Sequence, residues 1–202
     1  MNSKNLLIIF TKNPELGKCK TRLAKSIGDT AALEVYKKLL QHTAKVTQDL
    51  SADKVVFYNI EPIDQDDFSS TYFSKKTQRG NDLGEKMSNA FQEGFQNNYE
   101  KVVIIGSDLY DLQTRDIDEA FLQLTHNDYV IGPAKDGGYY LLGMKKFTPA
   151  VFQEINWSTA TVLKETLHIL KNKKVALLTQ KNDIDTIDDI KNIEVFQQYI
   201  NL

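Results

Sequence analysis

The sequence has a single cysteine, Cys19, and that scarcity excludes both a disulfide framework and a thiolate metal cluster. It fits a reducing compartment, so a cytoplasmic protein is expected. Long apolar runs are also missing. The run nearest the N-terminus, residues 6–10, is far shorter than a membrane span and lacks a small-residue cleavage pattern, so neither a membrane helix nor a signal peptide is expected. There is no basic excess either: 25 Lys and Arg stand against 27 Asp and Glu, a formal net charge of -2, which argues against a nucleic-acid groove. His42, His126 and His168 are too scattered for a metal cluster or a Ser-His-Asp triad. Small-molecule partners remain.

What is present is an ordinary globular composition, 41% hydrophobic and 26% charged over 202 residues, the length of one domain spanning 1–202. Residues 5–11 form a short continuous apolar run that stops at a polar loop, the pattern of a strand buried on both faces. After the loop, residues 12–20, a helix is predicted through Leu23. A longer one follows Gly28, with Leu33, Tyr36, Leu39 or Leu40, Thr43, Val46 and Leu50 on one stripe. Further strands are expected at 54–58, 72–76, 102–105, 129–131, 139–144 and 174–178, with the acidic stretch 61–70 as loop or short helix. Asp82 is expected to cap a helix carrying Leu83, Met87, Ala90 and Phe91, Thr114 to cap a second and Ser158 to open a third. A C-terminal helix would include Val195 and Tyr199. Strands alternating with helices predict a three-layer α/β/α, Rossmann-like domain with a mostly parallel central sheet, whose ligands gather at the carboxyl ends of the strands.

Five segments carry chemistry. In residues 11–23, Lys12, Lys18, Lys20 and Arg22 crowd around Gly17 in a loop that leaves a buried strand and enters a helix, where free backbone N–H groups and cations suit a polyphosphate. Such a charge run elsewhere would read as a solvated loop, and the Walker spacing is absent. Asp108 follows an apolar strand directly, in the place where a carboxylate can hold a hard cation or simply cap a turn. A cation bridging a diphosphate needs a second acid, and the run 183–189 is the other dense source; Asp185 is the choice, with Asp188 and Asp189 read as helix caps. Asp136, Gly137 and Gly138 fit a hairpin turn and equally a sugar or acceptor laid against bare backbone. Gln78 and Gly80 could meet a nucleobase edge, whereas Trp157 reads as core or cap support.

Taken in order, these segments resemble the nucleotide-diphospho-sugar transferase superfamily with the GT-A-like fold. The resemblance is closest to a bacterial group of small glycosyltransferases, some linked to arsenosugar biosynthesis, and more distant to phospholactate and molybdenum-cofactor guanylyltransferases. It runs from Thr11 to about Ile190. It implies a phosphate loop of Lys12, Gly17, Lys20 and Arg22, with Lys20 and Arg22 joining Asp108 as catalytic residues. It further implies a base contact through Gln78 and Gly80, a magnesium or manganese ion on Asp108 and Asp185, and Asp136, Gly137 and Gly138 facing the acceptor or sugar. The implied activity is a metal-dependent transferase using a nucleotide or nucleotide-sugar and a small-molecule acceptor. It would transfer either a nucleotidyl group, releasing pyrophosphate, or a glycosyl group, releasing nucleoside diphosphate. A non-catalytic nucleotide-binding protein on the same fold is the alternative. One departure stands out: the superfamily tends to carry Pro two residues after the metal-binding Asp, where this chain has Tyr110, which points to an altered loop or acceptor pocket.

Overall fold

Alternate residues of a strand point to opposite faces, so a strand apolar in both directions has to be sandwiched. In the computed structural model, which describes residues 4–200, β1 (Asn5–Thr11) sends Leu7 and Ile9 into one hydrophobic cluster and Leu6 and Ile8 into another. β4 (Lys101–Gly106) repeats the division, with Val103 and Ile105 on the first side and Val102 and Ile104 on the second. Helices supply the two covers. α1 (Thr21–Ile27), α2 (Asp29–Thr47) and α4 (Thr114–His126) close the first face through Leu23, Val35, Leu39, Ile117 and Phe121. α3 (Leu83–Gln96) and α5 (Val162–Ile169) close the second through Met87, Phe91 and Leu163. Each large apolar side chain fully buried this way contributes about 1.5–3 kcal/mol.

The remaining strands are β2 (Asp53–Tyr58), β3 (Ser74–Thr77), β5 (Tyr129–Pro133), β6 (Tyr139–Met144) and β7 (Val175–Leu177), and the seven-stranded sheet runs β3-β2-β1-β4-β6-β5-β7. β6 lies antiparallel between β4 and β5, and the other pairings are parallel. The three-layer, mostly parallel architecture expected from the alternation of elements is therefore the one observed. The chain leaves β1 toward β2 on one side while β4 lies on the other, so the loops after β1 and β4 diverge and leave a crevice at the carboxyl edge.

Several local expectations need correction. The core stripe of α2 is centred on Ala32, Val35 and Leu39, with Leu33 and Val46 only half-buried. Thr114 does not cap α4: Gln113 stands at the cap, its N–H donating to Asp116, and the Thr114 hydroxyl donates to the Val46 carbonyl at 2.8 Å, tying α4 to α2. Ser158 sits at φ 64 inside a turn, and α5 begins only at Val162, because Glu165 of its first turn reaches back to accept from both Asn156 nitrogens. The single C-terminal helix is replaced by the short α6 (Ile187–Ile190) and a 3-10 turn at Glu194–Tyr199. Ile190 and Phe196 are both fully buried, yet at 3.6 residues per turn they would point about 120° apart on one continuous helix. Segment 61–70, expected as loop or short helix, is loop, and the Asp66 carboxylate pins it by accepting from Tyr58, Lys75 and the Phe68 N–H. β3 starts at Ser74, after Phe73 has turned inward onto Phe68.

Gly84 lies in α3, where alanine would ordinarily stabilise by about 1 kcal/mol. Here a Cβ would come within 2.3 Å of the Trp157 indole nitrogen and 2.8 Å of the Phe152 carbonyl. Gly84→Ala is therefore expected to destabilise by about 1–3 kcal/mol in urea unfolding. An unchanged or raised midpoint would show that the Trp157 turn yields freely.

Candidate active site

The crevice between β1 and β4 is built on a buried hydrogen-bonded cluster. Where β1 ends, the Tyr36 hydroxyl from α2 accepts the Lys12 N–H at 2.9 Å, donates to the Lys12 carbonyl at 3.1 Å, and lies 3.1 Å from the Thr11 hydroxyl. The Ser107 hydroxyl, just past β4, donates to the same Thr11 oxygen at 3.1 Å. Burial, and then the charge of Asp108, push the Tyr36 phenol up to about 12, so it stays neutral and serves both as donor and as acceptor. Cys19 is structural: its buried thiol donates to the Asn13 carbonyl at 3.3 Å, and burial pushes its pKa up.

Past this anchor the loop turns through Gly17 at φ 72 and enters α1 through Lys20, which is left-handed at φ 49 and ψ 45. A left-handed residue with a side chain costs about 1–2 kcal/mol, so the position is held against local preference. Lys20 is also the lodged cation of the site. Its side chain is 5% exposed, and its ammonium lies 3.2 Å from Asp108 Oδ2 and 3.3 Å from Asp185 Oδ1. The Arg22 guanidinium, largely exposed, pairs with the other oxygen of Asp185.

Asp185 reaches this point because the chain beyond β7 keeps pairing past the named strands. Ala134 and Lys181 form a parallel bridge, the Lys181 N–H donates to the Pro133 carbonyl at 3.0 Å, and the Ile184 N–H donates to the Asp108 carbonyl at 3.0 Å. The Asp189 carboxylate then accepts the N–H groups of Asp185 and Thr186 at 3.0 and 2.7 Å, fixing the acidic loop as a cap on α6. The sequence pointed past Asp183, yet this half-buried acid belongs to the same group. Among the described residues its Oδ1 has no partner, and burial, then the charges of Asp108 and Asp136, push its pKa up to about 7.

Asp108 and Asp185, two carboxylates aimed at one cationic point, are hard oxygen donors of the kind that could hold magnesium or manganese. Among the described residues no group of three His, Cys, Asp or Glu side chains comes together for a metal. The fit is thus to a cation that brings phosphate oxygens and water as its other ligands. The site is marked by charge rather than by hollowness: a surface groove of ≈ 530 Å³ between β2, β3 and α3, bordered by Phe57, Lys76 and Tyr99, contains none of these groups.

Other residues singled out by sequence are placed as follows. Lys12 is exposed at the start of the loop. Gln78 donates from its amide nitrogen to the carbonyls of Thr11 and Phe57, both at 3.0 Å, which leaves only its oxygen for a base. Gly80, at φ 137, presses on α3, where a Cβ would meet Glu85 and the Lys86 nitrogen at 2.8 Å. Gly137 is needed by packing as well, since its Cβ would lie 2.2 Å from the Ala160 carbonyl oxygen. Asp136 accepts the Gly138 N–H at 2.9 Å in a local turn. Tyr110 packs its ring between His42 and Phe196, at centroid distances of 4.8 and 4.9 Å. Tyr36, Thr11 and Ser107 were missed because each reads as an ordinary core or turn residue.

Fold and site together define the class: a GT-A-like α/β domain with a charged crevice at the switch point of its sheet. Residues 42–159 match the family described as an uncharacterized protein conserved in bacteria (DUF2064), and the chain belongs to that family. The matched stretch includes Asp108 and Asp136 but not Lys20, Arg22 or Asp185. The crystal structure of a Desulfovibrio desulfuricans G20 protein, provisionally named a nucleotide-diphospho-sugar transferase, is similar over 98% of this chain and 93% of its own, at 33% identity and a TM-score of 0.86. The 4-diphosphocytidyl-2C-methyl-D-erythritol synthase of Anaerococcus prevotii DSM 20548 shares the fold at 12% identity and a TM-score of 0.63, over 99% of this chain and 97% of that one. A CMP:2-keto-3-deoxy-manno-octonic acid synthetase complexed with CTP does so at 9% identity and a TM-score of 0.60, over 97% and 99%. No curated protein matches the chain.

Asp183 also sets an expectation for pH. Its folded pKa, about 7, lies above the ordinary value of 3.8, so the folded state holds a proton that the unfolded chain has released. That contribution is complete below the lower value and is lost as pH rises through the upper one. In metal-free buffer with chelator, stability should fall between pH 5 and 8 by about 1–2 kcal/mol, after allowing for partial solvent access. Asp183→Asn should flatten this fall and be the more stable protein at pH 8; parallel pH profiles in urea titrations would contradict the assignment.

Proposed function

We propose that the protein is a metal-dependent transferase that binds a nucleotide polyphosphate in the crevice between β1 and β4, with nucleotidyl transfer as its reaction. The observation that carries this reading is the meeting of Asp108, Asp185, Lys20 and Arg22 at one point of the carboxyl edge. Asp108 and Asp185 would hold magnesium or manganese, which when bound supplies charge neutralisation on phosphate oxygens. The chain's own part is to position and to balance charge. Free N–H groups at the start of α1 receive phosphate oxygens, and Lys12, Lys20 and Arg22 offset the charge that builds on the leaving group. A phosphate oxygen of the acceptor forms a bond to the α-phosphorus as the bond to the β-phosphate bridging oxygen breaks, and pyrophosphate departs. Gln78 would offer its oxygen to a base donor, and the turn at Asp136 would border the acceptor. Lys20 and Arg22, close to the acid pair, favour a leaving group rich in negative charge.

Glycosyl transfer is the second reading, and the name of the Desulfovibrio relative is what favours it. Its leaving group is a nucleoside diphosphate, departing from the anomeric carbon. Incubation with each nucleoside triphosphate and each common nucleotide-sugar, with magnesium or manganese and a panel of phosphorylated acceptors, separates the two. Pyrophosphate without nucleoside diphosphate is expected, and the reverse would favour glycosyl transfer. Asp108→Asn should lower turnover by about a hundredfold or more while circular dichroism still shows a folded chain, Asp185 remaining as the partner of Lys20. If no donor gives either product and none raises the melting temperature with metal, both readings are overturned.

A further inference from the structure

The pairing of Lys20 carries a consequence for the order in which ligands bind. Its ammonium lies within 3.3 Å of one oxygen from each of Asp108 and Asp185, so it occupies the gap those oxygens define. A magnesium ion on the same oxygens would stand at about 2.0–2.1 Å from them, too close to a fixed ammonium for both cations to remain. The exposures are unequal in an informative way: the Lys20 side chain is 5% exposed, against 45% for Asp108 and 27% for Asp185. Lys20 is also the one side chain paired with Asp108 among the described residues, so that carboxylate has no other structural duty. The lysine stem is flexible, and its ammonium is a compact charge that can be drawn to a new anion.

Resting on the reading above, we propose that Lys20 is an internal stand-in for the divalent cation. It fills the gap in the free protein and gives way only when a nucleotide polyphosphate offers its ammonium another anion, so that metal and nucleotide enter as one complex. Either component alone meets a charge conflict: bare metal meets the ammonium, and bare polyphosphate meets the acids. Together they satisfy both sets of charges. By linkage, nucleotide tightens metal and metal tightens nucleotide by the same factor.

The test is manganese binding followed by the electron paramagnetic resonance signal of the free ion, on the full chain, with and without CTP and, in parallel, GTP. Wild type is expected to bind manganese weakly alone and about tenfold more tightly with nucleotide. Lys20→Met should bind manganese alone about tenfold more tightly than wild type. Lys20→Arg, which keeps the charge, should not gain. Lys18→Met removes a positive charge from the same loop but outside the gap, and it too should not gain. Circular dichroism checks folding, and Lys20→Gln replaces Lys20→Met if the latter does not fold. The inference is overturned if neutral variants at Lys20 bind manganese no better than wild type, or if Lys18→Met gains as much. Should wild type bind manganese with nucleotide while Lys20→Met shows no gain, only the stand-in role fails; should wild type bind none with either nucleotide, the proposed function fails with it.

Discussion

A lysine ammonium cut off from solvent, held between two carboxylates from distant parts of the chain, is the constraint on which the site depends. A buried charge is costly unless it is paired, and removal of one partner from such a pair typically costs about 3–5 kcal/mol. The fold meets this need with backbone. Lys20 is placed by a left-handed residue at the mouth of α1, Asp108 by the end of β4, and Asp185 by strand pairing that continues past β7. The Ile184 N–H on the Asp108 carbonyl joins the two acidic loops directly, so the acids approach each other through main chain before their side chains meet the lysine.

Much of this architecture was legible in residue order. Strands buried on both faces leave continuous apolar runs, and β1 and β4 were readable because nothing polar interrupts them between Leu6 and Ile9 or between Val102 and Ile105. The candidate acids were readable for a related reason, since a carboxylate immediately after such a run stands at the sheet's edge. The structure brings Lys20, Arg22, Asp108 and Asp185 together, while Lys12 lies exposed at the start of the same loop. What residue types cannot encode is a left-handed lysine. Gly17 announces its conformation, whereas Lys20 adopts one that its side chain disfavours, and only the surrounding structure holds it there.

The glycines teach the opposite caution. Gly80 and Gly137 fitted a ligand lying against bare backbone, yet in the fold each is required by a neighbouring segment of the protein itself, the first turn of α3 in one case and Ala160 in the other. Packing alone therefore accounts for the missing side chain at both positions. Asp183 shows the reverse error. It lies in the same acidic run as Asp185 and was passed over, because burial and an unpartnered oxygen exist only after the run has been folded beneath Asp108. Tyr36 was hidden in a helical stripe of aliphatic residues, and its hydroxyl on that stripe was the available signal that the helix faces something polar.

Tyr110 shows how a departure from a superfamily pattern is absorbed. A proline two residues after Asp108 would stiffen the loop through its own ring, by fixing φ and removing an N–H. Tyr110 achieves stiffness by packing instead. Its ring is gripped between His42 of α2 and Phe196 of the C-terminal 3-10 turn, and the His42 ring in turn bonds the Leu112 carbonyl at 2.8 Å. The segment behind Asp108 is thereby fastened to two elements of the first helical layer. Because the tyrosine packs into that layer, the substitution bears on how firmly Asp108 is presented at the end of β4.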